Sequence, residues 1–210
     1  MTDFEARLET FVAACSGIDP AHDMLHVKRV VAKAKTFAAE EADVNDRVLV
    51  AASWLHDVIS RESEDGIRAP SSVRSATLAA EFLREENLLD AAEIDKVHHA
   101  IAAHSYTAGI APTTVEARIL WDADRIDALG AIGIARCVIV GGRFGARLYN
   151  ESEPFPTGRG IDDRSYIIDH FYNRLFRLEE TFLTKAGARE AALRTDYMRN
   201  YIEQLKREIP

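Results

Sequence analysis

The chain has 210 residues, 47% of them apolar and 29% charged, a length and balance that suit one globular domain with a substantial core. Its net charge of −8 disfavours a nucleic acid polymer as partner, because a phosphate polymer needs a basic face; a small anion in a local cationic pocket stays open. Cys15 and Cys137 form no CxxC pair, and the acidic start MTDFEARLET lacks the basic and apolar regions of a signal peptide, so the expectation is a cytoplasmic protein with no membrane segment.

Proline is scarce and the apolar spacing is helical almost throughout, which predicts an all-α fold. Phe4, Leu8, Phe11 and Val12 mark a first helix closing near Gly17. Asp19-Pro20 has the form of a helix start, and the helix after it carries Val27, Val30, Val31, Ala34 and Phe37 to about Glu41. A third helix covers roughly Val44 to Asp57. The polar stretch SRESEDGIRAP reads as a loop, with Ser71 or Ser72 capping the next helix, which runs to about Asn87. Asp90 caps another, striped by Ile94, Val97 and Ile101 and broken at Gly109 to Pro112. Val115, Ile119, Ile126 and Leu129 carry the pattern on to about Val140. GGRFGARLYNESEPFPTGRGIDD reads mostly as loop, and its Asn150–Asp163 part is long enough for a lid. Two long helices, about Asp163–Lys185 and Ala188–Glu208, finish the chain and break at Gly187. Phe171, Leu175, Leu178 and Phe182 are core or a dimer seam, which leaves a homodimer open. A single domain over 1–210 is expected, with a core of about 20–130 and C-terminal helices of about 163–208 packed on it.

Chemistry concentrates at three places. The apolar run Val48 to Leu55 ends in the adjacent pair His56-Asp57. In PAHDMLHVKRV, His22, His26 and Arg29 fall on one helical face. In ILWDADRIDALG, Asp122, Asp124 and Asp127 lie in a mostly apolar helix, where a carboxylate is costly unless it is paired or ligates a cation. Imidazole and carboxylate without thiolate suit Mn, Fe, Zn, Co or Ni. Two His and two Asp on a six-coordinate ion leave positions for water and a phosphate oxygen, and such an ion lowers the water's pKa and polarises the phosphoryl group.

The ordered set His26, His56-Asp57 and Asp124 resembles the HD-domain superfamily of metal-dependent phosphohydrolases. The stretches HDMLHVKRV, AASWLHD, AAHS, DADRIDALGAIGIAR, GGRFG and DHFYNRLFRLEETFLTKAGAREAALRTDYM are similar to its small single-domain bacterial branch, the YpgQ/YedJ-like proteins, over most of the chain from about Pro20. The resemblance implies an HD-domain helical bundle. It also implies one divalent metal ion, Mn or Mg in function with Co, Ni, Fe or Zn as others, held by His26, His56, Asp57 and Asp124. The implied activity is hydrolysis of a small nucleotide, best read as nucleoside triphosphate pyrophosphohydrolysis. A 5′-nucleotidase, a cyclic-nucleotide phosphodiesterase and a non-catalytic nucleotide- or metal-binding protein are the alternatives. A di-iron oxygenase needs a second ligand set that the sequence does not complete. Spacing alone puts Asp122, not Asp124, most squarely on the Val115–Ile119–Ile126 stripe, so Asp124 rests on the motif. Where several HD nucleotide hydrolases carry a Glu that positions the attacking water, this chain has Ser60, with Glu62, Glu64 and Asp65 nearby.

Further residues have two readings each. His22 is either a first-turn histidine bonding its surroundings or a group that orients a ligand or meets substrate. Arg29 is a surface residue or a phosphate clamp. His104 is a core histidine or a substrate contact. Asp127 pairs with Arg125, orients a ligand or acts as an acid or base. Arg143 and Arg147, among Gly141, Gly142 and Gly145, bind substrate or sit on a flexible loop. His98 and His99 receive no role, and Arg189, Glu190 and Arg194 read as a solvated helix face.

Overall fold

The computed structural model describes residues 2–15, 23–59 and 70–210. Its described residues are helical with no strand, as the apolar spacing predicts; one isolated bridge pairs Arg147 with Tyr166. No described helix is long and apolar enough to cross a membrane. The chain divides into two compact units, Met1–Asp124 and Arg125–Pro210.

The first unit is built around α3 (Asp46–Leu55), whose residues Val48 through Leu55 are all buried. α1 (Asp3–Cys15), α2 (Met24–Ala38), α4 (Ser71–Glu85) and α5 (Ala91–Ala103) pack around it. α4 and α5 pack against each other, and Ala76, Ala79 and Ala80 of the first and Ala100, Ala102 and Ala103 of the second are all buried. α6 (Val115–Arg125) completes the unit's helices.

Caps set the ends that matter. Asn45 accepts the N–H groups of Arg47 and Val48 at 3.1 and 3.2 Å, opening α3. The same residue donates its own N–H to Glu116 Oε1 on α6 at 2.9 Å and its amide Nδ2 to Glu93 Oε1 on α5 at 3.1 Å. Glu93 and Asp90 form a capping box on α5, so three helix starts are tied through one asparagine. The Asp19-Pro20 start lies outside the described residues. The described helix opens later, because Asp23 is extended (φ −81°, ψ 172°) and accepts the His26 N–H at 2.9 Å. Neither Ser71 nor Ser72 caps α4. Pro70 is the cap, and Ser72 donates its hydroxyl to the Ala102 carbonyl at 3.2 Å.

In the second unit the expected long segments are cut. α6 gives way to a 3-10 turn, Ile126–Ala128, then Leu129 is extended and Gly130 takes φ 75° to open α7 (Gly130–Arg143). The carbonyls of Ile126 and Leu129 at this break accept from Arg194 Nη1 at 2.8 and 3.5 Å. Arg194 is therefore a bolt on the turn, not part of a solvated face. Gly133 lets the turn close, since a Cβ there would meet the Ala128 carbonyl oxygen at 2.2 Å. α7 runs through Gly141 and Gly142, so these glycines belong to a helix end instead of a loop, and a Cβ at Gly141 would strike Ile167 at 2.5 Å.

After the Asn150–Asp163 stretch, α8 (Ile167–His170) passes into a π turn, Phe171–Leu175, then α9 (Phe176–Leu178) and a 3-10 turn. The C-terminal break falls at Phe182–Thr184, not Gly187. Thr184 caps α10 (Lys185–Glu208), and the Gly187 N–H donates to its hydroxyl at 3.0 Å. Phe171 and Leu175 are buried, while Leu178 and Phe182 are half-buried. The loop expected as a lid is held in place: Arg159 grips the wholly buried Asp169 through two nitrogens at 2.5 and 2.6 Å, and Glu153 Oε1 accepts from Thr157, Gly158 and Arg159.

Because Asp23 sets where α2 begins, Asp23→Ala should lower stability by about 1 kcal/mol. Chemical denaturation of the variant checks this; an unchanged midpoint would show that the cap carries no weight.

Candidate metal centre

His26 sits in the first turn of α2 and is 1% exposed. His56 is the C-cap of α3 and is fully buried, followed by Asp57 in the turn. At this end of α3, His56 Nδ1 bonds the carbonyl of Ser53 at 2.9 Å. A carbonyl only accepts, so Nδ1 carries the proton and Nε2 of the neutral ring presents its lone pair. That nitrogen lies 3.4 Å from His26 Nε2. Asp57 Oδ2 lies 4.0 Å from His26 Nε2 and 3.7 Å from His56 Nε2. His26, His56 and Asp57 thus offer three atoms within 4.8 Å of one another.

Asp124, near the end of α6, comes to the same place. Its Oδ1 is 3.4 Å from His26 Nε2 and 3.9 Å from His56 Nε2. Asp122, which the apolar stripe favours, is wholly buried, while the Asp124 side chain is 28% exposed. The stripe reports burial, and the cluster lies at its margin. His104, the C-cap of α5, presents its Nε2 to Asp57 Oδ1 at 3.7 Å and its ring edge to His56 with centroids 5.2 Å apart.

Electrostatics favour a cation over protons. Burial pushes the His56 pKa down to about 4, against the opposing pull of Asp57. Burial also works against the Asp124 carboxylate, yet the His26 hydrogen bond and the neighbouring His56, His104 and His26 rings hold its pKa well below the usual carboxylate range. A neutral imidazole lone pair and ionised carboxylates are the forms that ligate. Donor spacings of 3.4–4.0 Å are what one ion bonded at ~2.0–2.2 Å would gather with small inward shifts. The residues fit a divalent ion.

The other expected residues are distributed as follows. Arg29 is half-buried, one turn along α2 from His26. His22 lies outside the described residues, as do Ser60, Glu62, Glu64 and Asp65. Asp127 is buried in the 3-10 turn of the second unit and accepts from Arg136 Nη1 at 2.7 Å. Arg143 and Arg147 are exposed in that unit. His99 accepts from the Thr113 N–H at 3.1 Å and pins a turn. Sequence reasoning missed two contacts here. They are the Ser53 carbonyl, which sets the His56 tautomer, and the Asn45–Glu116 tie between α3 and α6; neither leaves a periodic signal.

An all-α fold with a buried His-His-Asp cluster and a nearby second Asp defines a class of metal-site protein. The family is then direct: the HD domain model matches residues 24–129, just over half of the chain, and the chain belongs to the HD domain family. YpgQ of Bacillus subtilis (strain 168) is 29% identical over 193 residues, covering 90% of this chain and 85% of that protein. The crystal structure of YpgQ in complex with ADP superposes with a TM-score of 0.75 at 28% identity, covering 98% of both chains. An HD-superfamily hydrolase from Bacillus thuringiensis superposes with a TM-score of 0.72 at 30% identity, covering 98% of this chain and 97% of that one. The chain is accordingly an HD-superfamily hydrolase by kinship.

Asp124→Asn should weaken divalent metal binding at least ~10-fold, and Asp122→Asn should leave it within ~3-fold while lowering thermal stability; isothermal titration with Mn²⁺ on both variants separates the two aspartates. A second expectation concerns pH. The folded metal-free protein keeps His56 neutral down to about 4, whereas the unfolded chain takes up that proton near ~6.5. The unfolded state thus binds more protons in this window, and stability contributed by His56 is lost as pH falls from about 6.5 toward 4. Melts of metal-free protein should show this slope, and His56→Asn should flatten it.

Proposed function

We propose that this protein is a metal-dependent phosphohydrolase acting on a small nucleotide, with a nucleoside triphosphate pyrophosphohydrolase as the specific reading. The observation that carries the proposal is the convergence of His26, His56, Asp57 and Asp124, with the His56 lone pair turned inward by Ser53. YpgQ supports a nucleotide as ligand, since that relative has been solved with ADP. The resemblance to the family makes Mn or Mg the ion in function, and imidazole with carboxylate and no thiolate also suits Co, Ni, Fe or Zn.

In this reading the four side chains hold one divalent ion, which supplies Lewis-acid activation of water and of the attacked phosphoryl group. His26 and His56 provide neutral nitrogen donors, and Asp57 and Asp124 balance the ion's two positive charges. Arg29, one turn from His26, clamps phosphate oxygens by its guanidinium fork. His104 stands at the Asp57 edge of the cluster and contacts the substrate. Arg143 and Arg147 are further phosphate contacts by guanidinium chemistry, and Asp127 orients groups through Arg136. The chain works without nucleic acid or membrane, in the cytoplasm, and His22, four residues before His26, orients a ligand or meets substrate. A nucleotidase or cyclic-nucleotide phosphodiesterase would use the same ion and differ only in substrate.

The test is a substrate panel. Metal-stripped protein is mixed with nucleoside triphosphates, monophosphates and cyclic nucleotides, with Mn, Mg, Co and Ni added separately. Pyrophosphate released from triphosphates, and lost in His56→Ala, is the expected result. Orthophosphate from monophosphates would replace the specific reading with a nucleotidase. No turnover with any metal despite tight metal binding would overturn the hydrolase reading in favour of a binding protein.

A further inference from the structure

α7 lacks the polar side that a surface helix carries. Its 14 residues hold two charges, Arg136 and Arg143. One side packs inward: Gly133 and Ile134 are buried, and Gly141 abuts Ile167. At ~100° per residue, the opposite side carries Ala131, Ile132, Ala135, Val138, Ile139 and Gly142, with Arg143 at its edge. All of these are exposed. Phe144 follows directly and is exposed as well. A helix that is apolar on both sides belongs in an interior, so the outer side of α7 is built to be covered.

Two observations point to a second copy of this chain as the cover. The first is size. Ile132, Val138, Ile139 and Phe144 are 39–76% exposed. With the alanines and Gly142 they leave on the order of 500 Å² in water, as large as the biggest patch on a typical monomer. Two such faces brought together bury on the order of 1,000 Å², the threshold of a specific interface. The second is self-fit. Large and small residues are placed symmetrically about Cys137. In an antiparallel pair with its two-fold axis beside that residue, Ile132 meets the partner's Gly142 and Ala135 meets the partner's Ile139. Each large side chain falls on a small one, and two-fold symmetry repeats the match. Charge permits the approach. No acid lies between Asp127 and Glu151, so two chains of net charge −8 meet where this segment presents no carboxylate.

We propose that α7 is a homodimer seam, its exposed side packed antiparallel on the same side of a second copy, with Ile139 near the centre. The proposal goes beyond the hydrolase reading and does not rest on it. It also moves the seam from the place the sequence offered, since Phe171 and Leu175 are buried within the chain.

Sedimentation of the full chain tests it. Between about 1 and 100 µM, a range suited to an interface of this size, the wild-type mass should rise from 23.4 kDa to twice that value and stop, because a two-fold contact closes. Ile139→Glu puts a charge into the seam and should weaken the dimer at least ~30-fold. Ile132→Glu should do the same, and it serves if the first variant does not fold. Tyr106→Glu, at an exposed residue of the first unit, should leave the dimer within ~3-fold. Far-UV circular dichroism reports whether each variant is folded. A wild type that stays at 23.4 kDa overturns the proposal and leaves the face to a different partner. A dimer that survives both Ile139→Glu and Ile132→Glu has its seam elsewhere and overturns it too, as does a ladder of larger species.

Discussion

The metal centre depends on where α3 stops. A helix buried along its whole length from Val48 to Leu55 cannot end in unsatisfied polar groups without cost. Here the Ser53 carbonyl accepts a hydrogen bond from His56 Nδ1–H, so one hydrogen bond does two things. It satisfies a carbonyl at the buried helix end, and it fixes the tautomer that turns the Nε2 lone pair toward His26. A ring rotated to any other partner would present a proton to the cluster and repel a cation. The tie from Asn45 to Glu116 and Glu93 at the other end of α3 holds the helix against α5 and α6, which carry His104 and Asp124.

Burial and charge then act together. Desolvation drives His56 toward the neutral state, which in isolation destabilises the protein at low pH but is the state a metal requires. The structure carries a fold-level cost whose return comes only when an ion is bound, because binding to the folded state alone stabilises it. Functional sites commonly keep such perturbed groups.

Much of the architecture could be read from the sequence, because helical periodicity reports burial directly. Ile94, Val97 and Ile101, and the capped start at Asp90, lie where spacing puts them. Periodicity is weaker at edges. It chose Asp122 because that residue is buried, whereas the structure brings Asp124 to the two imidazoles from a partly exposed position. Only the ordered motif pointed to Asp124. Cap chemistry misled at Ser71, Ser72 and Gly187, since a hydroxyl or a glycine has alternatives that tertiary packing decides: Ser72 bonds α5, and Gly187 fits a first turn capped by Thr184. The break at Leu129–Gly130 and the role of Arg194 depend on contacts nearly 70 residues apart in sequence, which no local pattern contains. The π turn at Phe171–Leu175 likewise adds a residue to the helical register without a signature in the apolar spacing.

The cluster is also asymmetric, and this bears on how an anion reaches it. Its imidazoles are sealed, at 1% and 0% exposure, while the Asp57 and Asp124 side chains are 18% and 28% exposed. The accessible side is therefore the carboxylate side, on a protein already carrying a net charge of −8. A polyphosphate approaching two bare carboxylates meets repulsion that is strong at short range and weakly screened in a partly buried site. A divalent ion cancels those two charges, and Arg29 adds a cation one helical turn away from His26. If the proposed function holds, the ion would be needed for binding as well as for chemistry: nucleotide affinity itself should collapse when the ion is removed, because the carboxylates proposed to hold the ion are the same groups that would otherwise turn the substrate away.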